Sequence, residues 1–465
     1  MRIAPDVLWV VLALPLVAAL GLLPALLARP PHTIAHGQSA RLLALACSCG
    51  LLVNYALGML LPNLRWVLVA DVALAVATLA WALSLHRGAL LAVLRMGPAR
   101  WLLAMALLLI FAGAILFESL RDWDARSVWF FAAKRLFFGG GLGAGPADWT
   151  LAAYGFSHAD YPKLLPLLAA QFAQAWGLWN EFIPKASLLV LLLPVVLGLL
   201  GLPRRLGLSL VFLAGVLLLA TREYLWNGYA DTYLCLYAAL SMAYFARWLG
   251  SAAAQDLALG SAFLGVAANL KNEGALLALS VAACLHAWQL MARSTRMVAA
   301  WRTWPAGTWM ALLLPWIGFA GWALARHHWH LVNDLQLGLG SVQRVSQRLG
   351  EGQLAPIAKA LFLGSDAGKS AALLVASALL ALALRSRIPV CAWFPAAVAT
   401  LYSAGMLVIY LATPHAVAWH LATSAERTML LAAFGYLGST FLVLEAMESR
   451  GPATAASAEQ TGLQT

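Results

Sequence analysis

Apolar stretches near twenty residues recur almost from end to end of this chain, separated by short polar segments. A run of that length crosses a hydrocarbon core of ~30 Å as a helix, with its backbone polar groups bonded inside the segment. The pattern predicts spans over 7–29, 42–61, 66–85, 101–117, 184–202, 206–220, 229–247, 256–270, 274–292, 307–326, 369–385, 389–411 and 428–446. The expected fold class is all-α, a polytopic integral membrane protein with about 13 transmembrane helices. The first run, Val7 to Ala28, follows a single Arg and lacks a small-residue cleavage site. It exceeds the ~7–15 residues of a signal-peptide core, so it reads as a retained span. Residues 447–465, rich in Ala, Ser, Thr, Gln and Gly, read as a disordered tail.

Composition sharpens this picture. Of 465 residues, 63% are AVILMFWYC and 11% are charged, against about 25% charged in soluble domains. Mean hydropathy is +0.81. Ordinary soluble, disordered, collagen-like and disulfide-framework classes are excluded. The five cysteines (47, 49, 235, 284 and 391) all fall in apolar spans and read as packing residues. Cys47-Ser48-Cys49 has no His or further Cys nearby to make it a metal or redox pair.

The net charge of +11 would suggest nucleic acid as a partner in a soluble protein. Here the basic residues fall in clusters between every second pair of spans: Arg29/Arg41, Arg87/Arg95/Arg100, Arg204/Arg205, Arg247, Arg293/Arg296/Arg302, Arg385/Arg387 and Arg450. The positive-inside rule puts these clusters in the cytoplasm, the N-terminus outside and the C-terminus inside. No nucleic-acid partner is expected. That orientation sends two long segments outside, 118–183 and 327–368. It also gathers the acids on the outer face: Glu118, Asp122, Asp124, Asp148, Asp160, Glu181, Glu223, Asp231, Glu273, Asp334, Glu351, Asp366 and Glu426. The functional chemistry is therefore expected to be extracytoplasmic.

Four polar clusters carry that expectation. After Asp122-Trp123-Asp124, helical spacing puts Val128, Phe131 and Arg135 near one stripe and Trp129, Phe130, Ala133 and Phe137 near the next. An apolar aromatic face with Lys134 and Arg135 describes a helix lying at the membrane surface. A Gly-rich connection, Gly139 to Gly145, has no preceding strand and no GK[ST], so it reads as a flexible loop. It leads to His158-Ala-Asp160-Tyr161-Pro162-Lys163. The remaining clusters are Thr221-Arg222-Glu223 through Asp231, Asn269-Leu-Lys271-Asn272-Glu273-Gly274, and Trp419-His420 through Arg427. Ionisable groups at membrane depth mark either a functional cavity or an interfacial cap whose charges pair, such as Lys271 with Glu273. Asp71, in mid-span without a basic companion nearby in sequence, reads as structural. His327-His328-Trp329-His330 lacks a carboxylate or Cys at zinc spacing and reads as an interfacial girdle.

Taken in order, these motifs resemble GT-C fold glycosyltransferases. They are most similar to bacterial membrane enzymes of the dolichyl-phosphate-mannose-protein mannosyltransferase-like and aminoarabinose-transferase-like type. The resemblance runs over roughly 101–445. It rests on Trp123-Asp124-Ala with its aromatic/basic helix, His158-Ala-Asp160-Tyr161-Pro162, Tyr229-Ala-Asp231, Lys271-Asn272-Glu273-Gly274 and His420-Leu-Ala-Thr423-Ser424-x-x-Arg427. One departure is that three spans precede the helix leading to the first outer loop. The implied organisation is a three-span N-terminal module (1–100), a catalytic transmembrane module with juxtamembrane helices in its first outer loop (101–446) and a tail (447–465).

The resemblance implies transfer of a sugar from a polyprenyl-phosphate donor to a glycan, lipid or protein acceptor, outside a bacterial inner membrane. An acid of the first outer loop is the catalytic residue in such enzymes. Asp124 matches that position and Asp122 is the near alternative. A carboxylate there accepts the acceptor's proton, and cations stabilise the departing lipid phosphate. The candidates for the latter are Arg222, Lys271, Arg427 and Lys134, with Arg135 beside it. His158, Asp160, Tyr161, Asp231, Glu273 and His420 are the substrate-binding candidates. Some members of the family use a divalent cation and others do not; His158, Asp160 and Asp124 are the ligands one would take here. The rival readings are a transporter or flippase of lipid-linked sugars, which needs polar groups through both halves of the membrane, and a non-catalytic scaffold.

Overall fold

The computed structural model describes residues 4–28, 38–94, 96–142, 157–203, 207–217, 222–292, 301–333, 335 and 338–448. In chain order its helices begin with α1 (Ala4–Leu20), α2 (Gln38–Leu60), α3 (Leu64–Leu85) and α4 (Pro98–Phe117). The first long loop carries α5 (Phe130–Gly139) and α6 (Leu164–Trp176). There follow α7 (Ser187–Gly201), α8 (Leu208–Gly215), α9 (Asp231–Ser251), α10 (Ala254–Ala268), α11 (Glu273–Ala292) and α12 (Ala306–His328). The second long loop carries α13 (Leu339–Gly350) and α14 (Leu354–Phe362). Then come α15 (Asp366–Ala383), α16 (Phe394–Ala412) and α17 (Val417–Glu448).

The described chain is helical throughout its regular structure, as the apolar runs require. Nine helical segments among the described residues are long and apolar enough to cross a membrane: α2, α3, α4, Pro184–Gly201, Glu273–Met291, α12, α15, Val390–Ala412 and α17. The other four predicted spans coincide with α1, α8, α9 and α10. Three of these are short, with 17, 8 and 15 residues for α1, α8 and α10. The fourth, α9, has 21 residues but carries Asp231, Arg247 and several tyrosines.

Its burial explains that polarity. Almost every α9 side chain is covered by protein. Tyr233, Tyr237 and Tyr244 donate their hydroxyls to the carbonyls of Leu225, Leu191 and Gly198 at 2.9, 2.8 and 2.9 Å. A hydroxyl buried without such a partner would cost on the order of 1–3 kcal/mol. α2, Pro184–Gly201 and α17 are also mostly enclosed, whereas α3, α4, α11, α12 and α15 are mostly exposed at the periphery. α2 packs against α7, α10 and α12, so the N-terminal helices share one core with the rest. Close approach of α1 to α2 depends on Gly50, where an added Cβ would stand 1.9 Å from the Val17 carbonyl oxygen.

Asp71 on α3 is buried. Its carboxylate accepts from Asn54 at 2.7 Å and from Gln171 at 3.2 Å, and Asn54 also donates to Gln171 at 3.1 Å. This amide clasp joins α3, α2 and α6 and gives the residue the structural role expected of it.

One end of the bundle is closed by charge pairs. Arg41 lies 3.4 Å from Asp256 and donates to the Gly201 carbonyl at 2.8 Å. Arg247 lies 3.8 Å from Glu445, and Glu448 accepts from the Ser209 hydroxyl and amide at 2.7 and 2.9 Å. The candidate chemistry lies at the opposite end of the same helices.

Candidate functional site

Asp124 opens the helical part of the first loop. It immediately precedes a wide π-type turn, Ala125–Trp129, that runs into α5. Such turns insert an extra residue and re-aim the side chains around them. Val128, Trp129, Phe130, Ala132, Ala133 and Leu136 are buried, and α5 packs against α6. The apolar face expected to lie in the membrane surface is therefore covered by protein. The amphipathic pattern alone does not distinguish these two uses of an apolar stripe.

The guanidinium of Arg427, on α17, bonds directly to Asp124. A second donor of the same group reaches the Thr423 carbonyl at 3.2 Å, and its carbon stands 5.2 Å from the Tyr229 ring centroid. Tyr229 is held by the loop before α9, where Asn227 accepts from its backbone amide at 3.1 Å. The same Asn227 donates to Asp122 at 2.7 Å. Asp122 thus braces the loop from behind and does not line the cavity described below; Asp124 does.

Lys271 follows α10 in a connection too short to carry it into solvent. Its ammonium lies 2.8 Å from Asp231 and 2.8 Å from Glu273, and 5.9 Å from the Tyr161 ring centroid. Burial pulls this lysine down, but the Asp231 and Glu273 carboxylates outweigh it and leave the group well above the ordinary lysine value. Paired charge at membrane depth, one of the two alternatives for this cluster, is present. So is a cavity.

The turn His158–Tyr161 forms a further wall. His158 takes a left-handed conformation (φ 46°), and its ring stacks on Tyr161 at 4.8 Å. Tyr161 in turn packs on Trp129 at 5.6 Å. Asp160, buried, accepts from Asn272 at 2.6 Å and Asn333 at 2.7 Å through one carboxylate oxygen. Its backbone carbonyl accepts from the Trp322 indole at 2.9 Å. Asp160 therefore ties the first loop to α12 and to the segments after α10 and α12. Lys163, also buried, sits 5.0 Å over the Trp322 ring. Burial lowers it to about 7, against the upward pull of Asp160 and with the added downward push of Arg135.

These groups surround one cavity of about 1120 Å³. Asp124, His158, Tyr161, Lys271, Glu273, His420 and Arg427 all line it, with Trp123, Trp129 and Trp419. Asp231 and Asp160 stand directly behind the wall, holding Lys271 and Asn272. An apolar part is lined by Leu276 and Leu279 of α11 with Gly405, Val408 and Ile409 of α16. A Cβ on Gly405 would meet Leu276 at 2.8 Å, so glycine there lets the two helices converge.

One candidate stands apart from the cavity. Lys134 is half-exposed, 3.9 Å from Glu181 and 5.9 Å from the Trp179 ring, and it is not part of the lining. Its place on the polar side of α5 follows from the burial of the opposite face. Arg222 lies in a short turn, Arg222–Leu225, and its side chain lies outside the described residues. As for a metal, no three His, Cys, Asp or Glu side chains come together to hold an ion among the described residues. Asp124 instead faces Arg427, and Asp160 faces two amides. Arg326, Asn333 and His415 also reach the cavity and were not anticipated. Arg326 carried a legible signal, since it is a cation at the outer end of a predicted span, against the sorting of the other basic clusters.

The chain matches no protein-family model, no curated protein and no solved structure.

Proposed function

We propose that this protein is a GT-C-type membrane glycosyltransferase, which transfers a sugar from a polyprenyl-phosphate donor to an acceptor on the extracytoplasmic face. The observation that carries the reading is the convergence of Asp124, Lys271, Arg427 and a set of aromatic rings on one cavity, from segments up to 303 residues apart. In this reading Asp124 is the general base. It takes the proton as the acceptor hydroxyl attacks the anomeric carbon, and the bond from that carbon to the lipid phosphate breaks. Arg427 orients the carboxylate. Lys271 and Arg427 place positive charge where the departing phosphate gathers negative charge. Trp123, Trp129, Tyr161 and Trp419 offer faces for a sugar ring, and the groove between α11 and α16 suits the prenyl chain.

The proposed setting is a bacterial inner membrane crossed about 13 times, N-terminus out and C-terminus in. A lipid-linked sugar flippase is the rival. It would need a polar path through both ends of the bundle, whereas at the far end Arg41 is paired with Asp256 and Arg247 with Glu445. Mass spectrometry of glycolipids and envelope glycans from cells with and without the protein tests the proposal. One sugar missing from one class of acceptor is the expected result. Accumulation of an unchanged lipid-linked sugar on one face of the membrane would favour the flippase.

A further inference from the structure

The cavity is lined by three basic side chains of Lys or Arg, and they differ in what they face. Lys271 is held by Asp231 and Glu273, and Arg427 by Asp124. An anion at either cation would have to share it with those carboxylates, which weakens binding there. Arg326 is different. Half-buried in the last turn of α12, it lines the cavity, and its side chain makes no hydrogen bond or ion pair among the described residues.

Its surroundings are built by the end of that helix. His330 takes a left-handed conformation (φ 53°) as the chain turns back, and the Leu331 amide donates to the Arg326 carbonyl at 3.0 Å. This closure sets His327 and His330 beside Arg326 around a second, more open pocket of about 390 Å³, with Ala323, Leu331 and Val332 as its apolar sides. Arg326 and Leu331 line both pockets, so they form the partition between them. Among the described residues, no acid lines the smaller pocket. A guanidinium offers planar, forked donors that match phosphate oxygens.

We propose that Arg326, flanked by His327 and His330, receives a phosphate group of a substrate at this junction. The inference rests on the reading of the cavity as a substrate site and adds a ligand that the sequence candidates did not include. It does not depend on sugar transfer. The phosphate belongs either to a prenyl lipid reaching in from the membrane or to a water-soluble substrate entering through the open pocket.

Equilibrium binding to the full-length protein in detergent or nanodiscs, followed by tryptophan fluorescence, tests it with three probes: a C15 prenyl monophosphate, a hexose 1-phosphate and the C15 prenol. At least one phosphate probe should bind, and Arg326→Ala should weaken it tenfold or more while leaving prenol binding unchanged. Arg326→Gln, which keeps most of the side chain's length, carries the same expectation should the alanine variant not fold. Arg326→Lys should recover part of the loss. Lys369→Ala, at an exposed pair with Asp366, should bind as wild type. Loss confined to the prenyl phosphate assigns the subsite to the lipid, and loss confined to the hexose phosphate assigns it to the soluble substrate. Wild-type affinity for both phosphates in the Arg326 variants, or no phosphate binding by the wild-type protein, overturns the proposal. Intact Arg326-dependent binding without any sugar transfer would instead count against the glycosyltransferase reading.

Discussion

At the closed end of the bundle Arg41 meets Asp256 and Arg247 meets Glu445. Roughly 24 Å along α9 from Arg247, and roughly 27 Å along α17 from Glu445, the same residue types are arranged differently. There Lys271 is shared by Asp231 and Glu273, Arg427 leans on Asp124 over a cavity, and Arg326 faces it without a carboxylate. Pairing at the first end fastens helices together. At the second end the groups are held by each other and still present surface to a space of about 1120 Å³. Ionisable groups are costly near a bilayer in either place. Only where they line a cavity does the cost point to chemistry.

Breaking the comparison is most direct at Lys271. Lys271→Met removes the ion-pair partner of two acids, one of them fully buried, and should destabilise the protein by about 3–5 kcal/mol, read as thermal unfolding in detergent. Adding Asp231→Asn to the same chain should restore part of that loss. Unchanged stability of the single variant would mean that the three charges are not coupled.

A smaller effect is expected from pH. Lys163 is lowered by burial from 10.5 to about 7, so in that window the folded chain holds fewer protons than the unfolded one. Stability should therefore rise with pH from about 7 toward 10.5, and Lys163→Met should flatten the rise. A Lys163→Met profile with the same slope as the wild type across the window contradicts the assignment.

The least effect belongs to the closed end. Arg41→Met should cost about 1 kcal/mol and leave sugar transfer unchanged. Loss of transfer without loss of stability in that variant would mean that the two ends are not separate in role.

Part of this contrast was legible in the sequence. Apolar run length alone gave a helical membrane protein, and the placement of charges singled out Asp124, Lys271 and Arg427. The hydrophobic pattern could not say which apolar faces meet protein and which meet lipid. For that reason α5 was expected at the membrane surface, and Lys134 was expected to guide a phosphate. Asp122 and Asp124, two positions apart, look equivalent in sequence; the wide turn after Asp124 and the reach of Asn227 separate them. The role of Asp160 was hidden because its partners Asn272 and Asn333 lie 112 and 173 residues away and are uncharged. Asp71 was read correctly from what it lacked, a basic companion, although Gln171 lies 100 residues off.

Asp124→Asn tests the central claim most directly. The substitution keeps the side chain's shape and removes its capacity as a base. Transfer of sugar from a polyprenyl-phosphate donor, measured in membranes carrying equal amounts of folded wild-type and variant protein, should fall by about 10²–10⁴-fold. Transfer by the variant at the wild-type rate would contradict the account.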